Sequence, residues 1–253
     1  GLDKMFAPPP VKPPKQNLPR AVQETTRNFP ILEEKKNLEV ASAQPDFTKT
    51  EAYIQIRSPN WNEASETLVF APYPGFQYEF ASSPEKEVFC GGEAGGGKSL
   101  LLILDASTQV HHAGYKAVIF RRTYPDLEEL IEEARKIYVP LGAKFNASTH
   151  TFIWPNRAMI KFRHLQHIKD LSTYQGQSYD YIGFDELPHF PKIMYLYLFS
   201  RLRGKNPDII RYIRSTGNPD GAFVSWVKHR FVSNCAPNTT RNFVTVDGRD
   251  IEV

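Results

Sequence analysis

Two short clusters in this chain carry residue types that can do chemistry on a phosphate. The first runs Gly92, Glu93, Ala94, Gly95, Gly96, Gly97, Lys98, Ser99 and satisfies G-x-x-x-x-G-K-[ST]. Glycines lack Cβ, so this backbone can enter positive-φ conformations and come close to a ligand. Successive N–H groups then converge on an anion at a helix N-terminus, whose dipole favours negative charge. Lys98 would reach the β- and γ-phosphates of ATP, and the Ser99 hydroxyl would be a ligand of Mg2+. The second cluster is Asp185-Glu186, closing the apolar run Tyr179 to Phe184. Asp185 would hold Mg2+ through water, and Glu186 would polarise an attacking water. An acidic pair at a strand end says little by itself; downstream of such a loop it points to a nucleotide site.

Three further sets are weaker. Gln77 offers one acceptor and two donors, the complement of the adenine edge, although a solvated glutamine in a turn reads equally well. Ser215, Thr216, Gly217 and Asn218 follow an apolar stretch and could bond a γ-phosphate or the attacking water. Arg201, Arg203 and Lys205 gather near Gly204, as a solvated helix end or as charge for a partner.

These residues need a frame. Val88 to Cys90 reads as a buried strand, and Leu100 to Val110 as a helix with Gly114 as its C′ residue. Lys116 to Arg121 reads as a strand. Pro125 to Val139 reads as an amphipathic helix with its proline in the first turn. Thr151 to Trp154 and Ala158 to Phe162 suggest a hairpin. Lys192 to Leu202 and Val224 to Phe231 suggest helices, and Ile209 to Ile213 and Phe243 to Val246 suggest strands. Phe76-Gln77 is expected on a loop punctuated by Pro72, Pro74 and Gly75. Alternating strands and helices predict an α/β domain with a parallel sheet.

Composition sets the outer bounds. The chain has 253 residues, 41% of them hydrophobic, which suits one sizeable domain with appendages. Its apolar runs are too short to span a bilayer, so no membrane partner is expected. Two cysteines, one in the expected buried strand, fit a reducing compartment. A net charge of +3 permits nucleic-acid contact without requiring it. Residues 1–57 read as a proline-rich tail and arm, 58–232 as the domain, and 233–253 as a tail or linker. The histidine pairs His111-His112 and His164/His167 lack companions at metal-ligand spacing.

The series PGFQ, EVFCGGEAGGGKS, FRRTYPDL, YQGQSYDYIGFDE, LFSRLR, STGNPDG and WVKHRFV resembles the ATPase domain of the large terminase subunit of tailed bacteriophages. The resemblance covers about residues 72–232. It implies a P-loop NTPase of the additional-strand catalytic-glutamate type, with a central mostly parallel β-sheet flanked by helices. It implies Gln77 as the adenine reader, Gly92 to Ser99 as the Walker A loop and Asp185-Glu186 as the Walker B pair. Thr216, Gly217 and Asn218 would be the motif coupling hydrolysis to DNA movement.

The same resemblance implies a Mg-dependent ATPase that drives double-stranded DNA into a procapsid irrespective of sequence. Its implied partners are a portal protein, a small terminase subunit and further copies of itself in a ring. Its implied location is the host cytoplasm at the portal vertex. A neighbouring subunit's arginine would complete the site; the resemblance does not assign it, and Arg201 and Arg203 are the first candidates, with Arg163 the next. Lys192, Arg201, Arg203, Lys205, Lys228 and Arg230 would meet DNA phosphates.

Two positions depart from the family pattern. Glu93-Ala94 stands where many relatives have an arginine in the Walker A loop, and Gln175 precedes Gly176 where many have another. Beyond Val232, only Asp247, Asp250 and Glu252 supply carboxylates, so no two-metal nuclease is expected from this chain. A helicase-like ATPase acting on nucleic acid is the alternative reading; it would carry a second set of such motifs.

Overall fold

The computed structural model describes residues 54–56, 68–70, 76–92, 95–233, 239, 243–246 and 249–252. Strands β1 (Ile54–Ile56) and β2 (Leu68–Phe70) pair antiparallel, so the pairing crosses the boundary expected at residue 57. The rest of that arm and the Pro72 to Gly75 loop lie outside the described residues.

Helix α1 (Phe76–Ser82) begins where a loop was expected, with Gln77 and Phe80 turned inward. The alternation of elements then follows the sequence pattern: β3 (Glu87–Gly91), α2 (Lys98–Ala106), β4 (Lys116–Arg121) and α3 (Tyr124–Tyr138). Next come β5 (Lys144–Asn146), β6 (Thr151–Ile153), β7 (Met159–His164) and β8 (Tyr181–Phe184). The last elements are α4 (Lys192–Phe199), β9 (Tyr212–Gly217), α5 (Val224–Phe231), β10 (Phe243–Val246) and β11 (Arg249–Glu252). The strand expected over Phe243 to Val246 is there, paired antiparallel with β11.

Among the described residues, seven strands form the main sheet in the order β3-β9-β8-β4-β7-β6-β5. The first five are parallel; β6 and β5 add an antiparallel edge. Parallel strands covered on both faces read as continuous apolar runs. In β4, Ala117 and Ile119 join a cluster with α2 and α3, whereas Val118 and Phe120 join one with α4 and Phe184. β9 lies between the glycine-loop strand β3 and the acidic-pair strand β8. This is the additional strand of the expected fold class.

Helix α2 and strand β9 differ from their predicted extents because side chains take backbone groups near their ends, and α4, expected to Leu202, ends at Phe199. Helix α2 stops at Ala106 because Ser107 Oγ donates to Leu104 O (2.7 Å) and Thr108 Oγ1 to Asp105 O (2.8 Å). Hydroxyls that bond back to the helix compete with its continuation. Gly114, at φ 74°, serves a later turn. The strand expected over Ile209 to Ile213 begins only at Tyr212, since Gln109 occupies the backbone of Ile210. Its Nε2 donates to Ile210 O and its Oε1 accepts from Ile210 N, both at 2.8 Å.

Candidate active site

The glycine loop leaves the exposed end of β3. Gly92, Gly95 and Gly97 have φ of 153°, 84° and 71°, and an added Cβ at Gly92 or Gly95 would meet open space. Side chains there would be strained by the backbone rather than by neighbours. Glu93 and Ala94 lie outside the described residues. Gly97 caps α2, and its carbonyl accepts from Leu101 N at 2.9 Å. Lys98 is buried, with Nζ donating to Gly92 O at 3.3 Å, which folds the ammonium over the loop. Gln77 is also buried, and its Nε2 donates to Gly96 O at 3.0 Å. The glutamine expected to read adenine therefore braces the loop backbone in this structure.

The acidic tip comes to the same place. Asp185 is fully buried just beyond β8. Its Oδ1 accepts from Ser99 Oγ (3.1 Å) and from Thr216 Oγ1 (2.6 Å). Its Oδ2 lies 2.8 Å from Arg121 Nε. A serine hydroxyl against a buried carboxylate is a donor set of hard oxygens, which suits Mg2+. The loop and the acidic pair, distant in sequence, meet.

Glu186 adopts the left-handed conformation (φ 56°, ψ 56°), which costs a non-glycine residue about 1–3 kcal/mol. That turn aims its carboxylate at Asn218. Oε2 accepts from Asn218 N (3.0 Å) and Oε1 from Asn218 Nδ2 (3.2 Å). Asn218 Oδ1 is buried without a hydrogen-bond partner. Gly217 has its own reason: a Cβ there would lie 2.3 Å from Pro188 Cδ, in the turn that follows Glu186. Thus Thr216 contacts one carboxylate, Asn218 the other, and Gly217 lets the turn pack between.

Burial also tunes the surroundings. The Cys90 thiol is pushed up to about 11 by desolvation, against the pull of the Lys98 charge. Behind the glycine loop, Asp105 of α2 is raised to about 6, chiefly by burial, with Arg214 drawing it down. Arg214 Nε stands 3.7 Å from Asp105 Oδ2, while its Nη atoms donate to Glu85 O and Ser83 O at 2.9 and 2.7 Å.

Arg201 and Arg203 are not brought to this site. Arg201 O accepts from Tyr179 N (2.9 Å), and Arg203 N donates to Tyr179 O (3.0 Å). Tyr179 precedes β8, about 20 Å along the extended chain from Asp185. The two arginines thus flank the opposite sheet edge, where Arg201 lies over the Tyr197 ring at 5.0 Å. Arg163 lines a cavity of about 660 Å³ with His150, His164, His167 and Lys169.

One expected DNA-facing cation is ruled out. Arg230 is buried, and its Nη2 donates to Glu87 Oε1 at 2.8 Å and Oε2 at 3.0 Å. A guanidinium held bidentate under the sheet cannot meet a phosphate. Sequence reasoning also missed Arg121 beside Asp185. The signal was present, for an arginine closes the apolar strand KAVIFR at the edge where the acidic pair ends.

No curated protein matches the chain. Solved structures do. A large terminase from a thermophilic bacteriophage is 14% identical with a TM-score of 0.50, over 62% of this chain and 41% of that one. The large-terminase ATPase domain of Thermus phage P74-26 is 17% identical with a TM-score of 0.45, over 73% and 78%. The viral genome packaging motor assembly of bacteriophage phi29 gives 16% and 0.44, over 69% and 55%. At these identities the first likeness, with the highest score, concerns the fold alone. The chain spans about two fifths of that terminase's length. The family model described as "Terminase large subunit, T4likevirus-type, N-terminal" matches residues 90–246, which hold the glycine loop from Cys90 onward, both carboxylates and the strand between them. With more than half of its length under that match, the chain belongs to the terminase large-subunit family.

Proposed function

We propose that this chain is the ATPase motor domain of a packaging terminase, hydrolysing ATP with Mg2+ to move double-stranded viral DNA into a procapsid. The observation that carries this reading is the 3.1 Å contact between Ser99 Oγ and Asp185 Oδ1. It brings the glycine loop, which would bind phosphate, and a carboxylate that would hold a metal to one point.

In this reading, the loop amides from Gly92 to Gly97 and the Lys98 ammonium hold the β- and γ-phosphates. Gln77 positions the loop and reads the adenine edge. Ser99 and Asp185 hold the magnesium ion, which when bound neutralises charge on the phosphate oxygens. Glu186 orients a water for in-line attack and takes up its proton, with Asn218 fixing the carboxylate. Thr216, Gly217 and Asn218 carry the outcome to β9. An arginine from the adjacent subunit, Arg201 or Arg203, completes the site in trans. Such a finger contributes about a thousand- to a hundred-thousandfold in rate, roughly 4–7 kcal/mol. Neither arginine reaches the phosphate site of its own chain, which supports a trans role.

The working state is then a homo-oligomeric ring on the portal protein, supplied with DNA by the small subunit, in the host cytoplasm at the portal vertex. Residues 58–232 form the motor, with an N-terminal arm before it and a linker after it. Lys192, Arg201, Arg203, Lys205 and Lys228 supply weak, salt-sensitive contacts to the DNA backbone.

The test is Glu186→Gln. It should leave ATP affinity nearly intact and abolish phosphate release. Turnover that persists in this variant would remove Glu186 from the chemistry, and absence of ATP binding by the parent chain would remove the reading itself.

A further inference from the structure

Arg121 has no role in the scheme above, yet it makes the nearest charged contact to Asp185. It closes β4 beside β8, because the two strands run parallel with Phe120 opposite Phe184. That register delivers an arginine and an aspartate to adjacent positions at one sheet edge. The Arg121 side chain is 21% exposed, whereas Asp185 is sealed at 0%, so the cation has room to leave and the carboxylate does not.

The two oxygens of Asp185 are used unequally. Oδ1 accepts two hydrogen bonds, from Ser99 and Thr216. Oδ2 lies 2.8 Å from Arg121 Nε, but both atoms are buried without a hydrogen-bond partner. The N–H axis misses the oxygen, so the contact is charge against charge and the lone pairs of Oδ2 stay uncommitted. A buried carboxylate needs a counter-charge. Here the counter-charge sits on the one oxygen that accepts no hydrogen bond.

We infer that Arg121 is a positioning residue that competes with the divalent cation for Asp185 Oδ2. It holds the carboxylate in place when the metal is away, and swings toward solvent when the metal arrives. This inference rests on the reading of Ser99 and Asp185 as the magnesium site. A guanidinium 2.8 Å from Oδ2 repels a second cation that draws on the same lone pairs. The arrangement would hold magnesium affinity low enough to make occupancy depend on nucleotide, whose phosphates supply the remaining ligands.

The experiment follows binding of a fluorescent ATP analogue while Mg2+ is titrated, in the parent chain and in Arg121→Met and Arg121→Lys. The Mg2+ concentration giving half-maximal binding should fall about tenfold or more in Arg121→Met, as the repelling charge is removed. Arg121→Lys keeps the charge but loses the Nε contact, and should fall between the two. Melting in EDTA and with Mg2+ plus analogue separates competition from bulk stabilisation. The Arg121→Met deficit should be present in EDTA and shrink once metal and analogue are bound. An unchanged midpoint with normal analogue binding, or a melting deficit equal in both conditions, overturns the inference alone. A parent chain that binds no analogue at any Mg2+ concentration overturns the nucleotide reading and this inference with it. Should Arg121→Met not fold, the Arg121→Lys midpoint decides: a value equal to the parent's is the overturning result.

Discussion

Ser99 and Asp185 lie 86 positions apart in the chain, and their side chains are 3.1 Å apart in the fold. One opens a helix and the other ends a strand. Strand order β3-β9-β8 brings them together by laying β9 between their supports, so the contact depends on the whole left half of the sheet. The same inserted strand supplies Thr216 to Asp185, and the residue just past its end supplies Asn218 to Glu186.

Gly217→Ala should act through that strand. The new methyl would sit 2.3 Å from Pro188 Cδ, and a proline ring in a tight turn has little room to yield. Overpacking of this kind costs about 1–3 kcal/mol. The turn carrying Glu186 would be pushed off Asn218, so turnover should fall while ATP affinity stays within about twofold of the parent. Denaturant unfolding and parallel binding and phosphate-release assays check this; equal losses in both assays would count against it.

Asp105 predicts a pH dependence. Burial raises its folded-state value to about 6, above the ordinary carboxylate range. The folded protein therefore binds the proton more tightly than the unfolded chain. The stability contributed is present below about pH 4 and is lost as pH rises through about 6, a change of roughly 2–3 kcal/mol. Unfolding free energies of Asp105→Asn, subtracted from those of the parent, should show that decline between pH 4 and 7. Parallel curves would mean that the carboxyl is not perturbed.

The Glu87–Arg230 pair should be structural. Arg230→Met leaves a carboxylate without its guanidinium, and breaking such a pair costs about 3–5 kcal/mol. Glu87→Leu combined with Arg230→Met should recover most of that loss, since both charges then disappear. A double variant as unstable as the sum of the single ones would show that the two residues do not act together. DNA affinity of the double variant should match the parent, because Arg230 is buried.

Mixing variants tests the arginines at the far sheet edge. Arg201→Ala/Arg203→Ala and Glu186→Gln should each turn over slowly alone. Mixed, the Glu186→Gln subunits would lend their arginines to neighbours that retain the glutamate, and activity should rise above the sum of the separate rates. The rate per subunit of the parent chain should also climb with concentration. No recovery on mixing excludes these two arginines as the trans finger.

The glycine loop and the acidic pair were legible because their chemistry is local: spacing and residue type define each within eight positions. Strand β4 and helix α3 were legible from continuous or amphipathic apolar runs. Other features depended on partners remote in sequence. Ile209 and Ile210 look like a strand start, but Gln109 takes the backbone groups of Ile210 that a sheet would have used. Arg230 looked like one more surface cation until Glu87 was placed beneath it. Arg121 ends a strand as many arginines do; only its pairing beside β8 gives it Asp185.

Thr216 and Asn218 occupy alternate positions along one extended segment, so both side chains face the tip of β8. Adding or deleting a single residue between Phe89's partner Ser215 and Asn218 would turn one of them to the opposite face and strand its carboxylate. The two acids are therefore tied in parallel to one short segment. Movement of that segment along its axis would reach both at once, so the two contacts together fix its length.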